Sequence, residues 1–192
     1  MKNKIFKFTY LLIFSLLCIN ANSQEQFNFD VTQIDIIEKG NTFIGTKRGI
    51  ITSNDGIVIE ADQFEYQKKL NILNASGNIK IIDRINNYEI YSDNITYDKN
   101  NNFLFTDKNS KALDFVNNIE ISADIFEYSI SKNIITAKKN AAIENKVENY
   151  KVESDEITYL RNKNKIFSKG KTIADIYSKY KFTSEDVTYL TT

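Results

Sequence analysis

The sequence has no histidine, proline or tryptophan, and only one cysteine and six glycines among its 192 residues. The missing histidine removes the most common general base, and a zinc site built from His and Cys is excluded. No glycine-rich loop of the kind that cradles phosphate is present. Pairs of acidic residues could still hydrolyse glycosides, but the acidic residues lie in alternating stretches typical of solvated strand faces. We therefore predict no catalytic residue, no metal site, no cofactor and no enzymatic activity.

There is also no excess charge, since 25 Lys and Arg residues balance 25 Asp and Glu residues. A basic excess is the usual mark of a nucleic-acid-binding chain, so nucleic acid is not an expected partner. A single long apolar run is present, from Phe8 to Ile19. It is shorter than the roughly 20 residues that a membrane-spanning helix needs.

This apolar run follows three lysines and precedes the small residues Ala21 and Ser23. The order is that of a secretory signal peptide, which we place at residues 1–23. Leu17 is too large for the cleavage site that would make Cys18 a lipidated residue. The mature domain is then 24–192, without cysteine, and has to be held together by its core and its hydrogen bonds rather than by disulfides.

What the chain has instead is a repeat. The segment 56–66 recurs at 87–97, 118–128 and 149–159, and a fifth copy runs over 179–189. An aspartate holds the same place in four copies, 31 residues apart, and Glu185 holds it in the fifth: the aspartates are Asp62, Asp93, Asp124 and Asp155. A fixed period of this length indicates stacked or serially paired units that share one core.

Inside each copy apolar and polar residues alternate with the period of two that is typical of half-buried strands, as in Ile57, Ile59 and Ala61. Clusters of Asn, Asp, Gly, Ser and Lys interrupt the strands about every ten residues. We therefore predict about three short strands per repeat. No amphipathic helix and no internal linker are found, so the mature chain reads as one all-β domain.

The alternation changes phase within each copy, since Ile57 and Ile59 have odd numbers whereas Phe64 and Tyr66 have even ones. Because side chains alternate strictly between the faces of a strand, such a change requires a bulge or a corner. A small residue followed by the repeated aspartate marks the place. Four equivalent copies favour a structural role for these aspartates over a catalytic or metal-binding one.

The large apolar residues of the repeats are expected to point to one side of the sheet. If two layers face each other, these residues form either an ordinary packed core or the lining of an open cleft for acyl chains, and the alternation is compatible with both. The predicted lining residues are Ile57, Ile59, Phe64, Tyr66, Leu73, Ile90, Ile95, Tyr97, Leu104, Ile121, Phe126, Tyr128, Ile135, Val152, Ile157, Tyr159 and Ile166.

The segments 56–66, 70–81 and 91–97 together resemble the OstA-like family, namely the periplasmic lipopolysaccharide-transport proteins of the LptA type and the N-terminal domain of the LptD translocon. The resemblance extends over about residues 30–192. It implies a twisted β-jelly-roll of serial antiparallel strands, open along one side and at both ends. It also implies a periplasmic protein, located near the outer membrane at one end of its route, whose interior holds the lipid A acyl chains of lipopolysaccharide.

Two departures from the family pattern are visible, because Lys108 and Lys139 stand where the first copy has Gly77. The chain could equally be an N-terminal part of the translocon. A different class, an exported structural or adhesive β-solenoid, would wind as parallel coils. Strands buried on both faces read as nearly continuous apolar runs, so the alternation favours antiparallel pairing.

A jelly-roll that does not close leaves unpaired edge strands. We expect these at the first strand, near residues 29–37, and at the last, near 180–190, where no proline blocks the edge. Both could take up a strand from another jelly-roll domain by β-augmentation, joining domains head to tail. The residues predicted to take part are Val31, Ile34, Ile36, Phe182, Val187 and Tyr189.

Overall fold

The computed structural model describes residues 26–190, so the predicted signal peptide lies outside the described residues. Within them the chain forms 14 strands and two single 3₁₀ turns, Glu38–Gly40 and Arg161–Lys163. The strands are β1 (Phe27–Val31), β2 (Asp35–Ile37), β3 (Thr42–Gly45), β4 (Gly49–Ser53), β5 (Ile57–Ala61), β6 (Gln63–Gln67), β7 (Ile72–Asp83), β8 (Tyr88–Asp98), β9 (Phe103–Asp114), β10 (Ile119–Ser129), β11 (Ile134–Asn145), β12 (Tyr150–Leu160), β13 (Lys165–Ile176) and β14 (Tyr180–Leu190).

All these strands belong to one antiparallel sheet. From β7 to β14 each strand pairs with the next along the chain, and at the other end the sheet forks into the branches β5-β4-β1 and β6-β3-β2. The sheet does not close, because β14 lies at one end and β1 and β2 at the other. This is the predicted fold, a twisted, open jelly-roll of serial antiparallel strands. The antiparallel order is incompatible with the coils of a parallel β-solenoid.

Each long strand bends near its middle, where its pairing shifts register. In β10, for example, Ser122 pairs with Ala142 but Ile125 already pairs with Lys138. The bends divide the sheet into two layers. The first layer contains β1, β4, β5 and the strand segments continuous with them, and the second contains β2, β3, β6 and the other segments.

The two layers face each other. Phe27 of the first layer packs edge-on against Tyr66 of the second, with ring centroids 4.8 Å apart. Phe29 stacks on Phe43 at 5.7 Å. A row of corners therefore joins the layers along one side, and the buried faces of both meet between them.

The corners confirm the predicted change of phase. Opposite the small residue and its aspartate, the neighbouring strand places two successive residues at positive φ, such as Gly77 and Asn78 at 79° and 45°. The amide of Asn78 donates to Asp62 at 2.6 Å, and the same bond recurs 31 residues later between Asn109 and Asp93 at 2.7 Å. At this position the aspartates thus have a structural role, fixing the corner from its exposed side.

The number of strands per repeat was predicted wrongly. Each repeat contains two strands of 11 or 12 residues, not three short ones. The residues read as a turn, such as Lys108 and Asn109, do adopt left-handed backbone conformations. However, the pairing continues on both sides of them, so the strand bends instead of reversing. The single N-terminal strand expected near 29–37 is likewise two strands, β1 and β2, one in each layer.

Candidate functional site

The interior between the layers is where the sequence placed its candidate residues. Every residue predicted to line the cleft is buried, and the most exposed of them, Tyr66, is only 5% exposed. Alternation along the strands brings them together from both layers into one cluster. In this conformation their side chains pack against one another, so the interior is a filled apolar core.

Opposite the corners, the two layers end in two rows of turns that meet along a line, which we call the seam. The first row comprises the first-layer turns at 54–56, 84–87, 115–118, 146–149 and 177–179. The second row comprises the second-layer turns at 68–71, 99–102, 130–133 and 161–164. No strand pairing joins the two rows among residues 26–190. Only side chains close the seam.

A buried tyrosine and an aspartate form the contact across the seam, which we call a clasp. The Tyr128 hydroxyl, at the end of β10, donates to Oδ2 of Asp83 at 2.7 Å. The amide of Asn86 donates to the same carboxylate at 2.8 Å and to the tyrosine oxygen at 3.0 Å. Asp83 also accepts the backbone N–H of Ile85 at 3.0 Å, so the residue that holds the turn also holds the opposite layer.

The clasp repeats along the seam. The Tyr159 hydroxyl donates to Asp114 at 3.1 Å, and Asn117 donates to that hydroxyl at 2.9 Å. Nearer the N-terminus, the Tyr97 hydroxyl donates to Asp55 at 2.9 Å. The clasp residues on both rows follow the repeat, so the seam is closed at regular intervals by the same pair of side chains.

Two cations strengthen the outer clasps. Arg161 binds Asp114 through two nitrogens, Nε at 2.9 Å and Nη2 at 3.0 Å, although the aspartate side chain is fully buried. The same guanidinium donates to the backbone carbonyl of Asn86 in the other turn of the first row. Lys99 forms an ion pair with Asp55. Charged groups from the second row thus hold the first row at two places.

The clasps stay in one protonation state near neutral pH. Burial raises the pKa of the Tyr128 and Tyr159 hydroxyls well above its ordinary value, so both remain donors. Partial burial alone would raise the pKa of Asp55, but hydrogen bonds from Lys99 and Tyr97, among others, hold it below its ordinary value. Asp55 is therefore ionised and remains an acceptor.

Comparison with solved structures identifies this two-layer arrangement. The fold is LptA-like. The chain matches the crystal structure of LptH, the LptA-homologous periplasmic component of the lipopolysaccharide transport device of Pseudomonas aeruginosa, with a TM-score of 0.53 and 10% identity. The match covers 59% of this chain and 82% of LptH. No protein-family model and no curated protein matches the sequence. The likeness therefore concerns the LptA-like fold.

The ends of this LptA-like roll show where the predicted edge residues lie. Phe182 and Ile36 are exposed, whereas Val187 and Tyr189 are half-buried. Val31 and Ile34 are partly buried against the core at the other end. β14 pairs only with β13, so its other edge is unpaired in the described chain.

Sequence reasoning missed the clasps. Asp83 and Asp114 are 31 residues apart, as are Tyr128 and Tyr159, so both series were visible as repeats. Their pairing was not visible, because each tyrosine reaches an aspartate 45 residues earlier in the chain, across the layers.

Residues 26–190 contain no group of three or more His, Cys, Asp or Glu that could hold a metal ion. The same residues form no helix of the length and hydropathy needed to cross a bilayer.

Proposed function

We propose that this chain is a non-enzymatic, periplasmic lipopolysaccharide-binding protein that carries lipopolysaccharide from the inner to the outer membrane. In this proposal, the acyl chains of lipid A lie between the two layers. The observation that supports it is a two-layer LptA-like roll whose apolar interior is closed along one side by side chains alone. The same arrangement suits the N-terminal domain of an outer-membrane lipopolysaccharide translocon.

The energies involved allow such loading. A typical hydrogen bond contributes a net 0.5–1.5 kcal/mol or so. Releasing a few clasps therefore costs several kcal/mol, and separating the apolar side chains adds to this. Burying one methylene group gains about 0.8 kcal/mol. A single acyl chain of about ten carbons thus offers roughly 8 kcal/mol, and a lipid with several chains offers more than the clasps cost.

Photo-cross-linking tests the interior as the lipid site. A small diazirine-bearing residue at Ile90 or Ile121, both buried, should capture lipopolysaccharide, because these positions face the space between the layers. The matched controls are Glu89 and Glu120, which precede them on the same strands and point to the outer face. Capture only from the control positions would contradict the proposal, provided that circular dichroism shows all four variants folded.

We further propose that copies of this domain, or domains of the same shape, join head to tail. The outer edge of β14 is unpaired, and beside it Tyr180 and Phe182 expose the apolar surface that continues the interior. At the other end β1 and β2 also pair on one side only. Main-chain hydrogen bonds between two such edges would extend the interior from one domain into the next.

A single proline tests this joint. The N–H of Val187 donates to Ser168 of β13, so the next N–H, that of Thr188, points to the free edge. Thr188→Pro should therefore abolish association without removing a bond to β13, whereas Thr188→Ala should leave association unchanged. Light scattering over a range of concentrations measures the effect. A strict monomer at every concentration, or equal association of both variants, would refute the joint.

A further inference from the structure

The first row of turns exposes large apolar side chains at nearly every tip. The residues of this apolar turn row are Ile85, Phe115, Val116, Val147 and Tyr177, and each is more than half exposed. In the second row only Leu70 is comparably exposed, and the other exposed tip residues are Asn, Ser and Lys, with Arg161 in its clasp. The two lips of the seam therefore differ in character, although the same repeat builds both.

The exposed tips are held in place. The backbone N–H groups of Ile85 and Val116 donate to Asp83 and Asp114 at 3.0 Å, and that of Val147 donates to Asn145 at 2.9 Å. Successive turns of the row are two strands apart, which is about 10 Å. The row is thus a ridge about 30 Å long with regularly spaced apolar points.

Cations accompany the apolar tips. Arg84, Lys146 and Lys179 are exposed in these turns, against the single acidic residue Glu148. The second row adds further exposed lysines along the same side of the molecule, namely Lys68, Lys69, Lys132 and Lys163. The complete chain has no net charge, so this side carries a local positive excess.

The carboxylates nearest to the row reduce this excess little. The clefts between the tips are bordered by Glu89, Glu120 and Glu144. The first two already form ion pairs, with Lys80 at 3.0 Å and with Lys111 at 2.8 Å. The exposed cations of the turns therefore remain available to an anionic surface.

We propose that the apolar turn row is a docking edge for the surface of an anionic lipid bilayer. Apolar and aromatic tips would enter the boundary between headgroups and acyl chains, while the flanking Lys and Arg side chains stay level with the phosphates. A protein partner normally covers a continuous patch of about 800 Å². Separate points about 10 Å apart suit a fluid lipid surface better, because lipids fill the spaces between them.

Docking would place the seam against the membrane, since the row forms one of its lips. The inference does not depend on the proposed carrier function. It concerns the outside of the molecule, and a chain that holds no lipid inside could still bind a bilayer in this way.

Vesicle co-sedimentation of the full mature chain tests the edge. The test variant is Ile85→Ser/Val116→Ser/Val147→Ser, and the matched control is Leu70→Ser, which removes an equally exposed apolar side chain from the second row. We expect the wild-type chain to bind vesicles of equal parts phosphatidylglycerol and phosphatidylcholine, and to bind pure phosphatidylcholine much more weakly. The triple variant should bind the anionic vesicles at least about tenfold more weakly, a change of about 1.4 kcal/mol, and the control should bind like wild type.

Three outcomes would overturn the proposal. These are equal binding of the wild type to both kinds of vesicle, an equal loss in the triple variant and the control, and a loss of self-association without vesicles in the triple variant. The last would identify a second copy as the occupant. If the triple variant does not fold, Val147→Ser alone replaces it. Interior cross-linking is measured separately, so failure of docking and failure of lipid carriage are distinguishable.

Discussion

Replacing Asp114 by alanine is expected to lower the free energy of unfolding by about 3–5 kcal/mol, a large share of the roughly 5–15 kcal/mol that stabilises a typical domain. The carboxylate is fully buried and accepts from Arg161, Tyr159 and Asn117. Its removal leaves a guanidinium that is 11% exposed without its counter-charge. Urea unfolding measures the loss as a lower midpoint at an unchanged slope.

Asp93→Ala is the matched control. This aspartate belongs to the corners, is exposed and accepts one side-chain bond, from Asn109. Its loss should cost no more than about 1 kcal/mol. The double variant Asp114→Leu/Arg161→Met removes both charges and should regain much of the stability, because no unpaired charge remains buried. If Asp114→Ala costs no more than Asp93→Ala, the clasp does not hold the layers together.

The inward face of the sheet could be predicted from the sequence because alternation is a local property. Once Ile57 and Ile59 are assigned to one face, strand geometry assigns the others. The change of phase before Phe64 also required a bend, and the structure has one there. This is why the predicted lining residues are all buried.

The number of strands could not be predicted, because a corner and a turn use the same local chemistry. Left-handed residues such as Gly77 and Asn78 suit both. Whether the chain reverses there depends on where its backbone groups find partners. At the corner, Ser76 and Ile79 remain paired with the same neighbouring strand, β8, and that pairing is not encoded within a few residues.

The seam could not be predicted for a related reason. The place of Asp83 at the end of a strand, before a turn, was visible in the sequence. Its contact with Tyr128 depends on how far the corners fold one layer onto the other, which no local pattern specifies. The division of the N-terminal segment into β1 and β2 has the same origin, since each strand extends a different layer.

Locking the seam is expected to block lipid loading almost completely, because acyl chains longer than the clasp spacing cannot pass between layers that are covalently joined. The amide of Asn86 lies 3.5 Å from the carbonyl oxygen of Ile130 in the other row, so cysteines at these two positions bridge the seam. The mature chain has no cysteine of its own. A short bis-methanethiosulfonate linker joins only the introduced pair, and a reductant releases it.

The matched control is a cysteine pair at Leu70 and Asn100. These residues are in similar contact, with the amide of Asn100 3.0 Å from the carbonyl oxygen of Leu70, but both belong to the second row of turns. A link between them leaves the layers free to separate. It therefore controls for the linker, for the added cysteines and for any general stiffening of the turns.

The decisive measurement is the rate at which purified mature protein takes up fluorescent lipopolysaccharide, with each pair linked and then reduced. We predict that linking positions 86 and 130 slows uptake at least about tenfold, the equivalent of about 1.4 kcal/mol in the barrier, and that reduction restores it. Linking positions 70 and 100 should change nothing. Undiminished uptake with the 86–130 link in place would contradict entry through the seam.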